Sequence, residues 1–225
     1  MRWDGIQLFS VGHSTRPWAE FVRLLSAHGI RTLVDVRRFP RSRRHPHFDG
    51  EAMAAALPGA GVAYRSLEAL GGRRPGLGPA SPNTGWRDPG FRGYADHQLT
   101  AEFLQGLEQL REMASQAPTA VMCAEALFWR CHRQLIADAV VARGGRVVHL
   151  VSEREATPHV LTPFARLDGE VLSYPDREAA RQLSLPIAGG AERPAVVTRS
   201  AGRRSGRAVP PSGPGKGRRP RRPGR

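Results

Sequence analysis

Apolar residues fall in short runs along the first 150 positions, and the spacing within and between them predicts the elements. Residues 6–11, IQLFSV, form an apolar run that stops at Gly12-His13-Ser14, the pattern of a buried strand. Pro17 suits the first turn of a helix. Trp18, Phe21, Val22 and Leu25 then recur at helical spacing until Gly29 supplies a stop. Residues 30–36, IRTLVDV, are a second, β-branched run. A strand, a helix and a strand in this order predict a βαβ unit, and with it a parallel pair.

The pattern returns further along. Phe103, Leu107 and Leu110 line a helix that starts near Thr100, and TAVMC at 119–123 is a short strand. A helix over 131–142 turns Leu135, Ile136, Ala139 and Val140 inward and closes at Gly144-Gly145. RVVHLV at 146–151 is another strand, and GVAYRSL at 61–67 adds one more. Residues 71–94 have many Gly and Pro and no period. An aperiodic stretch of that length inside a domain is functional or disordered, and a lid over a site is the expectation. The alternation predicts an α/β chain: a Rossmann-like open, mostly parallel sheet with flanking helices. It forms a single domain over residues 1–175, with the end of the domain or a linker at 176–192.

Charge changes the picture at the far end. The net charge is +14, yet residues 193–225 hold eleven Lys/Arg and no Asp/Glu, which leaves +3 for residues 1–192. That Arg/Pro/Gly-rich tail has too little apolar surface to offset its chain entropy and is expected to be disordered. It reads either as an arm that tethers nucleic acid by counterion release or as a compositional tail with incidental polyanion affinity. No run of 18 apolar residues exists, so no membrane partner is expected. MRWDGIQLFS lacks a secretory apolar region, and two cysteines are too few for a disulfide scaffold. A reduced, cytoplasmic setting is the expectation.

The unusual polar residues fall where strands end. His13 and Ser14 follow the first, Asp35 and Arg37 end the second, Cys123 and Glu125 end the TAVMC strand, and Ser152 and Glu153 follow RVVHLV. In an open parallel sheet, ligands bind beyond the carboxyl ends of the strands. Four strand ends with reactive or charged groups predict one site there.

These stretches also carry a resemblance. VGHST (11–15), VDVRRFPRSRRHPHF (34–48), LGGRR (70–74), FRGYA (91–95), CAEALFWRCHR (123–133) and HVLTPFA (159–165), in this order, resemble the domain-of-unknown-function family 488 over roughly residues 6–175. The family commonly has proline between CAE and CHR, where this chain has Phe128. The resemblance implies an α/β domain with a shared site and supplies no activity.

CAEALFWRCHR gathers both cysteines, an acid, a histidine and two arginines, and four chemistries can be weighed for it. A cysteine-phosphatase loop needs arginine six positions after the cysteine. From Cys123 that position is Trp129, so this reading fails. Structural zinc wants paired ligands, whereas Cys131 and His132 are adjacent on an expected helix. A mixed set of Cys123, Glu125, Cys131 and His13 stays open. Cys123 and Cys131 can meet as a transient thiol pair, though Cys123 reads better as a small buried core residue, and Cys131 stays open between the two. The fourth reading is acid/base or thiol chemistry on an anionic substrate. Glu125 is its acid/base candidate, with Asp35 or His13 as partner and Cys131 as nucleophile. Ser14, Arg37, Arg43, Arg73, His132 and Arg133 would hold the anion. Interlocking structural ion pairs are the alternative for each pair alone, though burying so many charges for structure is costly.

The expected function is therefore an enzyme on a phosphate-bearing substrate, a nucleotide or a nucleic acid. The alternatives are a non-catalytic nucleic-acid-binding module with a basic tail, or a thiol or metal sensor. No cofactor is required. If a metal such as zinc binds, Cys131, Glu125 and His13 are its expected ligands. The partner is an anionic small molecule or nucleic acid, and the oligomeric state is undetermined.

Overall fold

The computed structural model describes residues 1–176. The stretch 177–192 and the basic tail expected at 193–225 lie outside the described residues. Five parallel strands build the sheet: β1 (Gln7–Gly12), β2 (Thr32–Asp35), β3 (Ala63–Ser66), β4 (Thr119–Cys123) and β5 (Arg146–Leu150). A short antiparallel strand, β6 (Ala156–Pro158), closes the edge beside β5, giving the order β3-β2-β4-β1-β5-β6. β7 (Arg166–Asp168) and β8 (Val171–Ser173) form a separate hairpin. Helices α1 (Trp18–Ala27), α2 (Gly50–Ala56), α3 (Pro89–His97), α4 (Ala101–Gln116) and α5 (Arg133–Val141) flank the sheet. This is the expected open, mostly parallel, Rossmann-like α/β architecture.

Strand alternation divides the core between the two faces. On β4, Ala120 and Met122 pack with Phe21, Leu24 and Leu25 of α1 and with Met53 of α2. Val121 and Cys123 point the other way, among Phe103 and Leu107 of α4 and Leu135 and Ile136 of α5. Both faces are covered, so the central strands read as continuous apolar runs.

Connectivity locates the site. β1 leads through α1 to β2, crossing β4, whereas β4 leads through α5 to β5, crossing β1. Neighbouring strands β1 and β4 thus send their chains in opposite directions, which opens a crevice at their carboxyl ends.

The structure departs from the sequence pattern at three places. The helix expected from 131 begins at Arg133: Phe128–Arg130 take a 3-10 turn and Cys131 is extended. Helices α2 and α3 lie in stretches without a clear apolar period. Both start on an aspartate cap, Asp49 accepting from Glu51 N and Asp88 from Phe91 N. Lastly, 71–94 is a fastened rim rather than a lid. The buried Asp96 carboxylate accepts from Leu77 N at 2.8 Å, Ser81 Oγ at 2.5 Å and Asn83 Nδ2 at 2.8 Å. Asn83 Oδ1 in turn accepts from Tyr174 N. Opening this segment would strand a buried charge without donors.

Candidate functional site

The end of β1 and the end of β4 touch because Gly12 has no side chain. A Cβ there would sit 1.9 Å from the carbonyl oxygen of Glu125. His13 N and Ser14 N donate to Cys123 O and Ala124 O, continuing the β1–β4 pairing one step past the strands. Ser14 turns the chain away with a left-handed backbone (φ 51°).

Asp35, at the end of β2, is fully buried. Its carboxylate accepts from Arg37 Nε and Nη2, the latter at 2.6 Å, from Arg37 N at 3.0 Å and from Tyr64 Oη at 2.8 Å. Asp35 and Arg37, two residues apart, lie on one side of the chain. The carboxylate is saturated, however, and faces its own arginine rather than the cleft. Its structural effect is to hold Arg37 in place. Arg37 Nη1 reaches towards His13 Nε2 at 3.4 Å, and His13 Nδ1 lies 2.9 Å from Ser14 O. Because that carbonyl only accepts, Nδ1 carries the proton and Nε2 offers its lone pair to Arg37. Burial, against Phe48 stacked at 4.2 Å, together with the Arg37 charge takes the imidazole down to about 4. His13 is neutral at pH 7.

The turn inside CAEALFWRCHR decides how its residues meet. The 3-10 turn at Phe128–Arg130 and the extended Cys131 bring the two sulfurs, eight residues apart in sequence, to 2.7 Å. Both thiols are free and buried. Cys131 Sγ also lies 3.6 Å from His132 Nδ1 and 3.5 Å from the Arg133 backbone N–H at the start of α5. His132 Nε2 donates to Val36 O at 2.8 Å, which fixes the ring and leaves Nδ1 to face the sulfur. Gly72 makes room for that ring, since a Cβ there would lie 2.8 Å from His132 Nδ1.

Arg133 is 1% exposed, and among the described residues no carboxylate pairs with it. Its guanidinium donates from Nε to Cys123 Sγ at 3.0 Å, from Nη1 to Ser10 Oγ at 3.1 Å, and from Nη2 to the carbonyls of Glu125 and Ala126. Its donors are thus engaged within the protein: it pins the 123–126 turn and sets a positive charge against the sulfur pair. Burial opposes ionisation of Cys131. The hydrogen bond from Cys123, the neighbouring His132 and the Arg133 charge outweigh it and hold this thiol well below its ordinary value. Burial and the hydrogen bond to Cys131 push Cys123 well above. The pair shares one proton, with the negative charge on Cys131.

These groups line a cleft of about 580 Å³. Arg37, Arg38, Arg41, Arg73 and Arg130 outnumber its carboxylates Asp88 and Glu125, so its field is positive. Glu125 is exposed, and among the described residues its carboxylate has no ion-pair partner. The site thus joins His13, Arg37, Arg73, Glu125, Cys131 and His132. Arg43 is exposed but outside the cleft wall. The fourth strand end is elsewhere. Ser152 and Glu153 sit beyond β5 with Arg16 and Arg23, because β5 lies across β1 from the crevice. Arg38, Arg41 and Arg130 join the wall beyond the residues expected from sequence, and the basic run RRFPRSRRHPH marks the first two. Among the described residues no three His, Cys, Asp or Glu side chains gather as a metal set, so the conditional ligands Cys131, Glu125 and His13 are not assembled as one.

A second buried network supports the turn from behind. Asp138 accepts from His159 Nε2 at 2.9 Å and from Thr162 N and Oγ1. His159 Nδ1 meets His149 Nε2 at 3.0 Å, and the His149 ring stacks on Phe128 at 3.4 Å. This is the role of HVLTPFA: its His159 and Thr162 clamp α5 and, through His149, back the residue that stands at the proline-rich position. Burial takes His149 down to about 3, with the His159 and Arg133 charges adding to it.

Compared with family models, residues 17–140 match the domain of unknown function DUF488. The span includes the CAE–CHR turn and the basic run; VGHST and HVLTPFA fall outside it. Compared with curated proteins and with solved structures, the chain matches none.

Proposed function

The chain belongs to the domain of unknown function family DUF488, and on the geometry of its cleft we propose that it is a thiol-dependent enzyme. Cys131 is the nucleophile, and the substrate is anchored by a phosphate-type anionic group. One observation carries the reading: Cys131 Sγ lies between a second thiol at 2.7 Å and an imidazole nitrogen at 3.6 Å, at the floor of an arginine-lined cleft. A nucleophilic cysteine needs its thiolate at neutral pH, and a hydrogen-bond donor, a histidine and a helix start each favour that form.

Arg37, oriented by Asp35, together with Arg41 and Arg73 on the rim, would hold the anion. Glu125, at the cleft wall and without an ion-pair partner among the described residues, is placed to exchange a proton with the leaving group. Phe39, 64% exposed, and Phe91 offer flat apolar surface beside these arginines, which suits a nucleotide or the end of a nucleic acid.

The test is the pH dependence of iodoacetamide alkylation on the reduced chain. Cys131 should be the labelled residue, with a midpoint well below the roughly 8.5 of a free thiol, and Cys131→Ser should abolish labelling. A midpoint at or above that value removes the nucleophile and the proposal with it.

A further inference from the structure

We infer that Cys131 and Cys123 work as a two-step redox pair that reduces a disulfide bound in the cleft. This rests on the reading of Cys131 as the nucleophile and assigns it a reaction type. A hydrolytic or transferring cysteine needs one thiol and a base. Here a second thiol occupies the space beside it, at 2.7 Å, closer than the rest of the site approaches the sulfur. A bond between the two needs only a small closing movement, since a disulfide is about 2.05 Å long. The buried Arg133 guanidinium supplies the other half of the argument. Its Nε contacts Cys123 Sγ at 3.0 Å, and among the described residues no carboxylate neutralises it. Besides pinning the 123–126 turn, this cation lies against Cys123 itself, the sulfur that must attack second. It would stabilise a thiolate formed on Cys123 once the Cys131 charge has been consumed.

The steps balance. The Cys131 thiolate attacks one sulfur of the substrate disulfide, forming a mixed disulfide and releasing the other half as a thiolate. Cys123 gives its proton through solvent to that departing thiolate. The Cys123 thiolate, steadied by Arg133, attacks Cys131 Sγ, breaks the mixed disulfide and expels the second half, which takes a proton from water. The substrate gains two electrons and two protons, and the protein ends with a Cys123–Cys131 disulfide. A small dithiol reductant restores the pair by the reverse exchange. The arginines of the rim select disulfides that carry carboxylate or phosphate groups.

The experiment treats the reduced full chain with glutathione disulfide, which is anionic, and in parallel with cystamine, which is smaller and cationic. Released thiol and intact mass are followed. The wild type should release both halves of glutathione disulfide and lose two hydrogens, with a peptide map joining Cys123 to Cys131. Cys123→Ser should stop at a mixed disulfide on Cys131 and release one half only, and Cys131→Ser should release none. Cystamine should react more slowly, by about tenfold or more if two arginine contacts to the anion are lost. A wild type that stops at the mixed disulfide with either probe, while Cys131 keeps its low alkylation midpoint, overturns the redox pair and leaves the nucleophile standing. Failure of both the exchange and the alkylation overturns the two together. Faster reaction with cystamine, ending in the internal disulfide, keeps the pair and refutes the selection by arginines.

Discussion

Replacing Arg133 with lysine tests whether the sulfur pair depends on a buried fork of donors. The guanidinium reaches four acceptors from three nitrogens: Cys123 Sγ, Ser10 Oγ and the carbonyls of Glu125 and Ala126. A lysine keeps the charge but concentrates its donors on one atom, so it cannot span the distance from Ser10 on β1 to the 125–126 turn. At least two charge-assisted hydrogen bonds go unmade, each worth about 1.5–3 kcal/mol when buried. The expected cost is about 3–5 kcal/mol, a large share of a typical domain's stability. The 123–126 turn also loses its anchor, so the thiolate on Cys131 becomes less favourable. Urea unfolding should show the lower stability, and the Cys131 alkylation midpoint should rise. Arg130→Lys, on the exposed side of the same turn, should change stability by less than about 0.5 kcal/mol. If Arg133→Lys unfolds within about 1 kcal/mol of the wild type and its alkylation profile does not move, Arg133 is packing and the account of the sulfur pair fails.

Gly12→Ala should cost about 1–3 kcal/mol or more, because its Cβ would overlap a backbone carbonyl that cannot rotate aside. Thermal melting reads the loss, and alkylation of Cys131 should slow, since the displaced 124–126 segment carries Arg133's acceptors. Acid sensitivity has a sign set by His149. Its folded value, about 3, lies below the ordinary 6.5. The unfolded chain therefore binds the proton first, and stability is complete above pH 6.5 and falls as the pH drops from there towards 3. Each pH unit in that window costs up to about 1.4 kcal/mol. His149→Phe should keep the stack on Phe128 and lose about 2 kcal/mol less than the wild type between pH 7 and 4.5 in denaturant titrations. An equal loss in both would exclude His149 as the acid-sensitive group.

Much of this protein was legible in residue order. Apolar runs set β1, β2, β4 and β5 close to their observed limits, because a strand buried on both faces leaves a run that little else in the chain can imitate. Thr100 marked the start of α4 for the local reason that its hydroxyl accepts from Phe103 N. Strand ends beyond β1, β2 and β4 carried the site's chemistry, since side chains past a parallel strand have no partner strand to pack against. The tertiary structure decided which of those ends meet. Ser152 and Glu153 resembled the others in sequence, yet the crossing connections of β1 and β4 place the crevice on the far side of β1 from them. Roles were also decided by neighbours that the sequence does not order: Tyr64 and Arg37 saturate Asp35, and the burial of Arg133 against Cys123 makes it a support for two sulfurs. The 3-10 turn at Phe128–Arg130 is the clearest case. The sequence gives no local signal for it, and only the stack on His149 of β5 shows what holds it in place. Local pattern records what each residue prefers; which charges face one another depends on distances between distant segments, and those exist only once the chain is folded.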